Sequence, residues 1–247
     1  MRNVLMATVM TLLAGGASAQ VVETGEDVIR EMRARYDGRW YTTLRFVQKS
    51  TFYAEDGSVG RVETWYESME LPGLLRIDIA PLTGGRSIVF RNDTLYNAPN
   101  GTSRPGRATV HPLLLMGFDV YHLPVDETLG KLEGLGVDLD KMRETKWQGR
   151  GVWVLGAEEG DIESHQFWID KERMVFVRQL RGSNDTRFNA YERIGDAWIS
   201  PEVVFLADGH RTLLEEYSEM EVGLHFEDGV FDPERLLKPA WTPAGDR

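Results

Sequence analysis

The sequence predicts a mainly β, α+β domain: an antiparallel sandwich or barrel of on the order of a dozen strands. Three observations predict it. Residues 61–97 read as successive strands, 61–70, 74–79, 87–91 and 94–97. The segments Pro72-Gly73, Thr83-Gly84-Gly85 and Asn92-Asp93 punctuate them, and these residue types preset or permit turn dihedrals. From residue 141 onward β-type runs recur every ten residues or so, again separated by tight polar turns. Within 74–79 the alternation is clean. Leu75, Ile77 and Ile79 share one face and Leu74, Arg76 and Asp78 the other, so one face is expected to be apolar and the other wet.

The chain opens with a leader. Arg2 supplies a positive start, residues 4–14 an apolar run too short to span a bilayer, and Ala17-Ser18-Ala19 a cleavage site before Gln20. The expectation is a signal peptide over 1–19 and one domain over 20–247. With no cysteine in the sequence, disulfides are excluded, and so is a lipid anchor on a mature N-terminal cysteine. Removing Arg2 takes the net charge from −11 to −12, which disfavours nucleic acid and anionic membrane surfaces as partners. Hydrophobic content of 42% is ordinary for a globular domain.

Residues 23–36 form a predicted helix. Thr24 is the expected N-cap, Glu26 and Asp27 suit the first turn, and Val28, Ile29, Met32 and Tyr36 recur at helical spacing. Residues 40–54 are a long strand in which Leu44, Phe46 and Phe52 share a parity that Gln48 and Ser50 interrupt. A hairpin turn at 55–58 leads into the 61–97 meander. Residues 98–108, rich in Pro and Gly, read as a loop. Residues 111–124 carry Leu113, Leu114, Leu115, Met116 and Phe118 nearly in sequence: either a core helix or a helix closing over an apolar cleft. A second short helix follows at 126–135, with Asp126 as expected N-cap and Leu129 and Leu132 inward. Strands resume at 144–148, 152–157, 163–169, 174–180, 187–192, 198–207 and 211–224. The Pro-rich tail, 231–247, is expected to lie extended over the surface.

Catalytic motifs are sparse. The five histidines show no metal-ligand spacing, and His111 and His122 read as helix-end residues flanking the apolar run. There is no G-x-S-x-G, P-loop or G-x-G-x-x-G. The acids Glu158, Glu159, Asp161 and Glu163 lack the order of a calcium loop and read as a solvated turn. An enzyme would need a polar cleft with a shifted carboxylate or histidine, and the apolar parity of 74–79 argues against one. No cofactor and no metal are expected.

The segments Leu44-Arg45-Phe46-Val47-Gln48-Lys49, Thr64-Trp65, Leu71-Pro72-Gly73-Leu74-Leu75-Arg76-Ile77, 87–96 and Gln166-Phe167-Trp168-Ile169-Asp170 with 175–180 together resemble the LolA-type periplasmic lipoprotein carriers. The resemblance implies an open, incomplete antiparallel β-barrel of about eleven strands with helices covering its concave face. It also implies a monomeric, non-enzymatic periplasmic carrier that takes a lipid or lipoprotein acyl chains from an inner-membrane donor to an outer-membrane acceptor. In that family an arginine before the proline after the Trp strand helps hold the lid closed. Here Leu71 stands in that position.

On this reading Phe46, Trp65, Leu75, Ile77, Phe90, Phe167 and Phe176 are the expected cleft-lining side chains, and Leu113, Leu114, Met116 and Phe118 the plug. For each of them plain core packing is the competing role. An envelope module that senses lipids or lipoproteins, and a periplasmic hydrolase, are the alternative functions.

Overall fold

The computed structural model describes residues 22–241; the leader expected at 1–19 and the end of the tail, 242–247, lie outside them. The first helix is α1 (Gly25–Arg35). Its start is fixed by a capping box: Thr24 Oγ1 accepts the Asp27 N–H at 3.1 Å, and the Asp27 carboxylate accepts the Thr24 N–H at 3.0 Å. Val28, Ile29 and Met32 on one side of α1 are buried.

Six strands follow in a meander: β1 (Thr43–Tyr53), β2 (Val59–Glu70), β3 (Leu74–Ile79), β4 (Arg86–Arg91), β5 (Thr94–Ala98) and the short β6 (Arg107–Ala108). The segment expected to be wholly loop therefore ends in an edge strand. Next come α2 (Pro112–Gly117), a 3-10 turn (Asp119–Tyr121) and α3 (Val125–Gly134). Asp126 is not the cap of α3. Pro124 occupies that position, and Asp126 sits in the first turn, where the helix dipole still favours an anion.

The second series is β7 (Met142–Trp147), β8 (Arg150–Leu155), β9 (Gln166–Asp170), β10 (Val175–Arg181), β11 (Asn184–Asn189), β12 (Glu192–Ile194), β13 (Ala197–Ile199), β14 (Glu202–Ala207) and β15 (His210–Val222). Two expected strands, 187–192 and 198–207, are each broken. Ala190 adopts φ +54°, and the Ser200 hydroxyl reaches the carbonyls of Asn189 and Glu202. The chain leaves the sheet there as the separate hairpin β12–β13. The outcome is more than the expected eleven or so: fifteen strands among the described residues, thirteen in one sheet.

The order across that sheet is β6-β5-β4-β3-β2-β1-β15-β14-β11-β10-β9-β8-β7, and every pairing is antiparallel. β6 and β7 are the two edges, so the sheet is open and not a closed barrel. The first and last strands pair in its middle. The chain reaches one edge at β6, must cross to the other at β7, and makes the crossing through α2 and α3. Register shifts in β1, β10 and β14 mark bulges, which increase strand twist and bend. The core lies between the inner face and the helices. Trp40 stacks on Tyr121 at 3.6 Å, Tyr36 meets Trp40 edge-on at 4.8 Å, and α1 packs on α3 and the 3-10 turn. No helix among the described residues is long and apolar enough to cross a membrane.

The expectation of one wet face on β3 is overturned. Arg76 is 1% exposed and Asp78 2%. The tail, residues 224–241, covers them. The guanidinium Nε donates to both Asp78 oxygens at 3.0 Å. Nη1 donates to the Val230 carbonyl at 2.9 Å, and Nη2 to that of Lys238 at 2.7 Å. Asp78 also accepts the Ser87 hydroxyl at 2.6 Å and the Ala240 N–H at 2.9 Å. Leu236 packs beside this network against Val89, Ala98 and Tyr96 as a small second core. The alternation itself is correct. A peptide segment that supplies carbonyls and an N–H is what lets a charged pair go under.

Removing one member of this pair leaves the other buried and uncompensated. Arg76→Ala is expected to lower stability by about 3–5 kcal/mol in urea unfolding and to expose the tail to limited proteolysis. Replacing both, as Arg76→Met with Asp78→Leu, is expected to cost markedly less.

Candidate functional site

A cavity of about 230 Å³ lies between the inner sheet face and α2. Its floor is β-structure. β2 contributes Trp65, Glu67 and Met69, and β3 contributes Leu75 and Ile77. Gln48 comes from β1, and Leu213, Glu215 and Tyr217 from β15. Phe188 and Phe205 close the side toward β11 and β14. The roof is His111, Leu113, Leu114 and Phe118. Two wider clefts, of about 380 and 580 Å³, run along the tail on the outer face between polar backbone and charged side chains. The inner cavity combines apolar walls with a few convergent polar groups, the usual make-up of a small-molecule site.

Of the residues expected to line a cleft, Trp65, Leu75, Ile77, Leu113, Leu114 and Phe118 are brought together on this wall. The other five are not on it. Phe46 is fully buried and stacks on Tyr217 at 4.3 Å. Phe90 lies edge-on to the His111 ring at 4.7 Å. Met116 is fully buried among the core residues. Phe167 and Phe176 pack on each other at 5.6 Å, and Phe176 on Phe188 at 4.8 Å, which puts both behind Phe188. Inward parity identifies a core-facing side chain, but a second layer of aromatics fills the second half of the sheet.

The roof is fastened to the scaffold at several points. The His111 Nδ1 accepts the Leu114 N–H at 3.1 Å and so caps α2. Asp119, after α2, accepts the N–H of Gly73 at 2.9 Å. Gly73 sits at φ +85° in the β2–β3 turn, where side-chain-bearing residues are strained. The same turn carries Leu71, which is buried. The link from that turn to the helices is thus made by an aspartate and a backbone amide. The Tyr121 hydroxyl donates to the Met174 carbonyl at 3.2 Å, and His122 Nε2 lies 3.0 Å from the Tyr41 carbonyl.

The sequence reading missed the polar part of the wall. Glu67 is 4% exposed, and its carboxyl has no hydrogen-bond partner among the described residues. Burial, reinforced by Glu215, holds its pKa well above the ordinary carboxylate value. Glu215 is raised to about 7 by burial, with the Tyr217 hydroxyl (3.3 Å) and the Gln48 amide pulling the other way. Burial also raises Asp119 to about 7, opposed by the Gly73 N–H and Lys131, and it takes His111 down to about 4. The signal was available: Glu67 shares its parity with Trp65 and Met69, and Glu215 with Leu213 and Tyr217. The acid-rich segment at 158–163 is the turn it was expected to be, with Asp161 accepting from the Glu163 N–H, the Ser164 N–H and the Ser164 hydroxyl.

No family model and no curated protein matches the sequence. Solved structures do match the fold. A domain from Vibrio parahaemolyticus described as outer membrane lipoprotein-sorting aligns with a TM-score of 0.60 at 13% identity, covering 87% of this chain and 98% of that one. A DUF1329 family protein from Desulfovibrio piger gives 0.55 at 14% identity, covering 86% and 97%. A LolA superfamily protein from Nitrosomonas europaea gives 0.54 at 11% identity, covering 85% and 98%. At these identities the likeness establishes a LolA-like fold over most of the chain.

The buried acids fix a pH dependence. A carboxyl raised in the folded state stabilises it at low pH, and that contribution is lost as pH rises from 4.5 through about 7. His111, depressed by burial, acts in the opposite sense over part of that range, so the comparison must isolate one group. Relative to wild type, Glu215→Gln is expected to gain stability progressively from pH 4.5 to above pH 7. The gain should total on the order of 3 kcal/mol, read from urea unfolding at each pH.

Proposed function

We propose that this chain is a periplasmic carrier that holds a lipid or lipoprotein acyl chains in the cavity between the inner sheet face and α2, for delivery to the outer membrane. The observation that carries the reading is the construction of that cavity. An apolar floor of sheet side chains is roofed by a helix of only six residues, in the fold shared with a domain described as lipoprotein-sorting. Export by the leader at 1–19, an inner-membrane donor and an outer-membrane acceptor belong to the same reading.

Size sets a condition on the mechanism. Small-molecule sites usually enclose about 300–1,000 Å³, and this cavity has about 230 Å³. A whole acyl chain therefore enters only as α2 swings out and gives up its place over Leu75 and Ile77. Burying a sixteen-carbon chain contributes on the order of 10 kcal/mol gross, which must offset the loss of the apolar contacts of α2 and any of the roof's hydrogen bonds that open with it. Release runs the other way, with Leu113, Leu114 and Phe118 refilling the space. The wall supplies no serine, cysteine, lysine or arginine to act as nucleophile or to steady a developing anion. Binding is thus a better account of the buried acids than hydrolysis.

Native mass spectrometry of protein purified from its own periplasm, together with uptake of a fluorescent fatty acid or fatty amine, tests the reading. Co-purified lipid or saturable uptake is expected, and absence of both overturns it. Leu114→Glu is expected to abolish uptake while the β-sheet circular dichroism is retained. Global unfolding of that variant would instead assign Leu114 to the core.

A further inference from the structure

We propose that the floor of this cavity is a receptor for a cationic, hydrogen-bond-donating head group, so that the cargo is an amine-bearing amphiphile. The proposal rests on the cavity taking a lipophile at all, and it names the chemistry at the lipophile's polar end.

Strand register sets the geometry. Phe46 on β1 lies opposite Glu67 on β2, Gln48 lies between Trp65 on β2 and Tyr217 on β15, and Ser50 lies opposite Glu215. Both carboxyls thus line one cavity from the two strands that flank β1. Neither is matched by a cation, because no lysine or arginine lines the wall. Gln48, the neutral donor between them, gives its amide to Ser50 Oγ at 2.8 Å. Glu215 has the Tyr217 hydroxyl and the Gln48 amide, both neutral donors, and Glu67 has no hydrogen-bond partner among the described residues.

The rest of the molecule handles buried carboxylates differently. Asp78 is held by Arg76, Asp170 by Arg150, Asp185 by Arg178 and Arg187, and Asp119 by a backbone N–H. A chain that matches its other buried acids with cations or a backbone N–H leaves Glu67 without a donor and Glu215 with neutral donors only, where a ligand fits. Burial without a partner is costly for a carboxyl group, and a ligand that brings the missing donors removes that cost. A primary ammonium is compact, positively charged and carries three donors. Its alkyl chain would then run along Leu75, Ile77 and the α2 leucines. A carboxylate head group would add a third acid to the pair.

Calorimetric titration of the full-length mature chain at pH 7 with decylamine, decanol and decanoate, each below its micelle concentration, tests this. Decylamine is expected to bind at least about tenfold more tightly than decanol, and decanoate weakest. Glu67→Gln and Glu215→Gln are each expected to erase the preference for the amine while decanol binding persists. Equal or tighter binding of decanol or decanoate by the wild type overturns the proposal and leaves the carrier reading standing. Retention of the amine preference in both glutamine variants overturns it too. Binding of none of the three overturns the proposal and the carrier reading together.

Discussion

The pairing of β1 with β15 is the constraint from which the rest of the architecture follows. A chain whose first and last strands meet in the middle of an open sheet builds outward to one edge and must then travel to the other. The path between β6 and β7 has to cross a face, and the segment that makes it must be apolar toward that face and satisfy its own backbone. Short helices meet both needs. The roof of the cavity is therefore a consequence of the topology, and its depth depends on how closely α2 settles onto β2 and β3.

Two pairs of buried charged or acidic side chains lie on opposite faces of the same sheet, and their contrast is instructive. On the outer face Arg76 and Asp78 are saturated with partners, several from the tail, and the result is a fixed joint. On the inner face Glu67 and Glu215 share a low-dielectric space with no cation, and only Glu215 has donors, both neutral. Burial of the first pair is offset within the chain. Burial of the second is not, which puts a cost on the folded state that a bound donor would relieve. The roof adds a further acid, Asp119, on the backbone of the β2–β3 turn, so the segment holding the helices to the sheet is itself sensitive to protonation.

Much of the candidate site was legible one residue at a time. Leu75 and Ile77 announced an inner face by alternation, and the Leu113–Phe118 run announced a segment that had to be buried. What could not be read was depth. Phe167 and Phe176 carry the same inward signal as Trp65, yet they lie behind Phe188, because whether an inward side chain meets a cavity or another side chain depends on what fills the second layer. The acids failed differently. Their parity was visible, but a glutamate in a strand is ordinarily solvated, and only the roof makes it unusual.

By itself the sequence determined the alternation of strands, the turns between them, the Thr24 cap and the class of fold, because each depends on dihedral preferences and side-chain periods over a few neighbouring residues. Tertiary structure alone decided that the outer face of β3 is dry, that β12 and β13 leave the sheet, and that Glu67 and Glu215 face one enclosed space. The first and last of those outcomes rest on residues more than a hundred positions apart, Arg76 bonded to Val230 and Glu67 lining one cavity with Glu215, which no local pattern encodes.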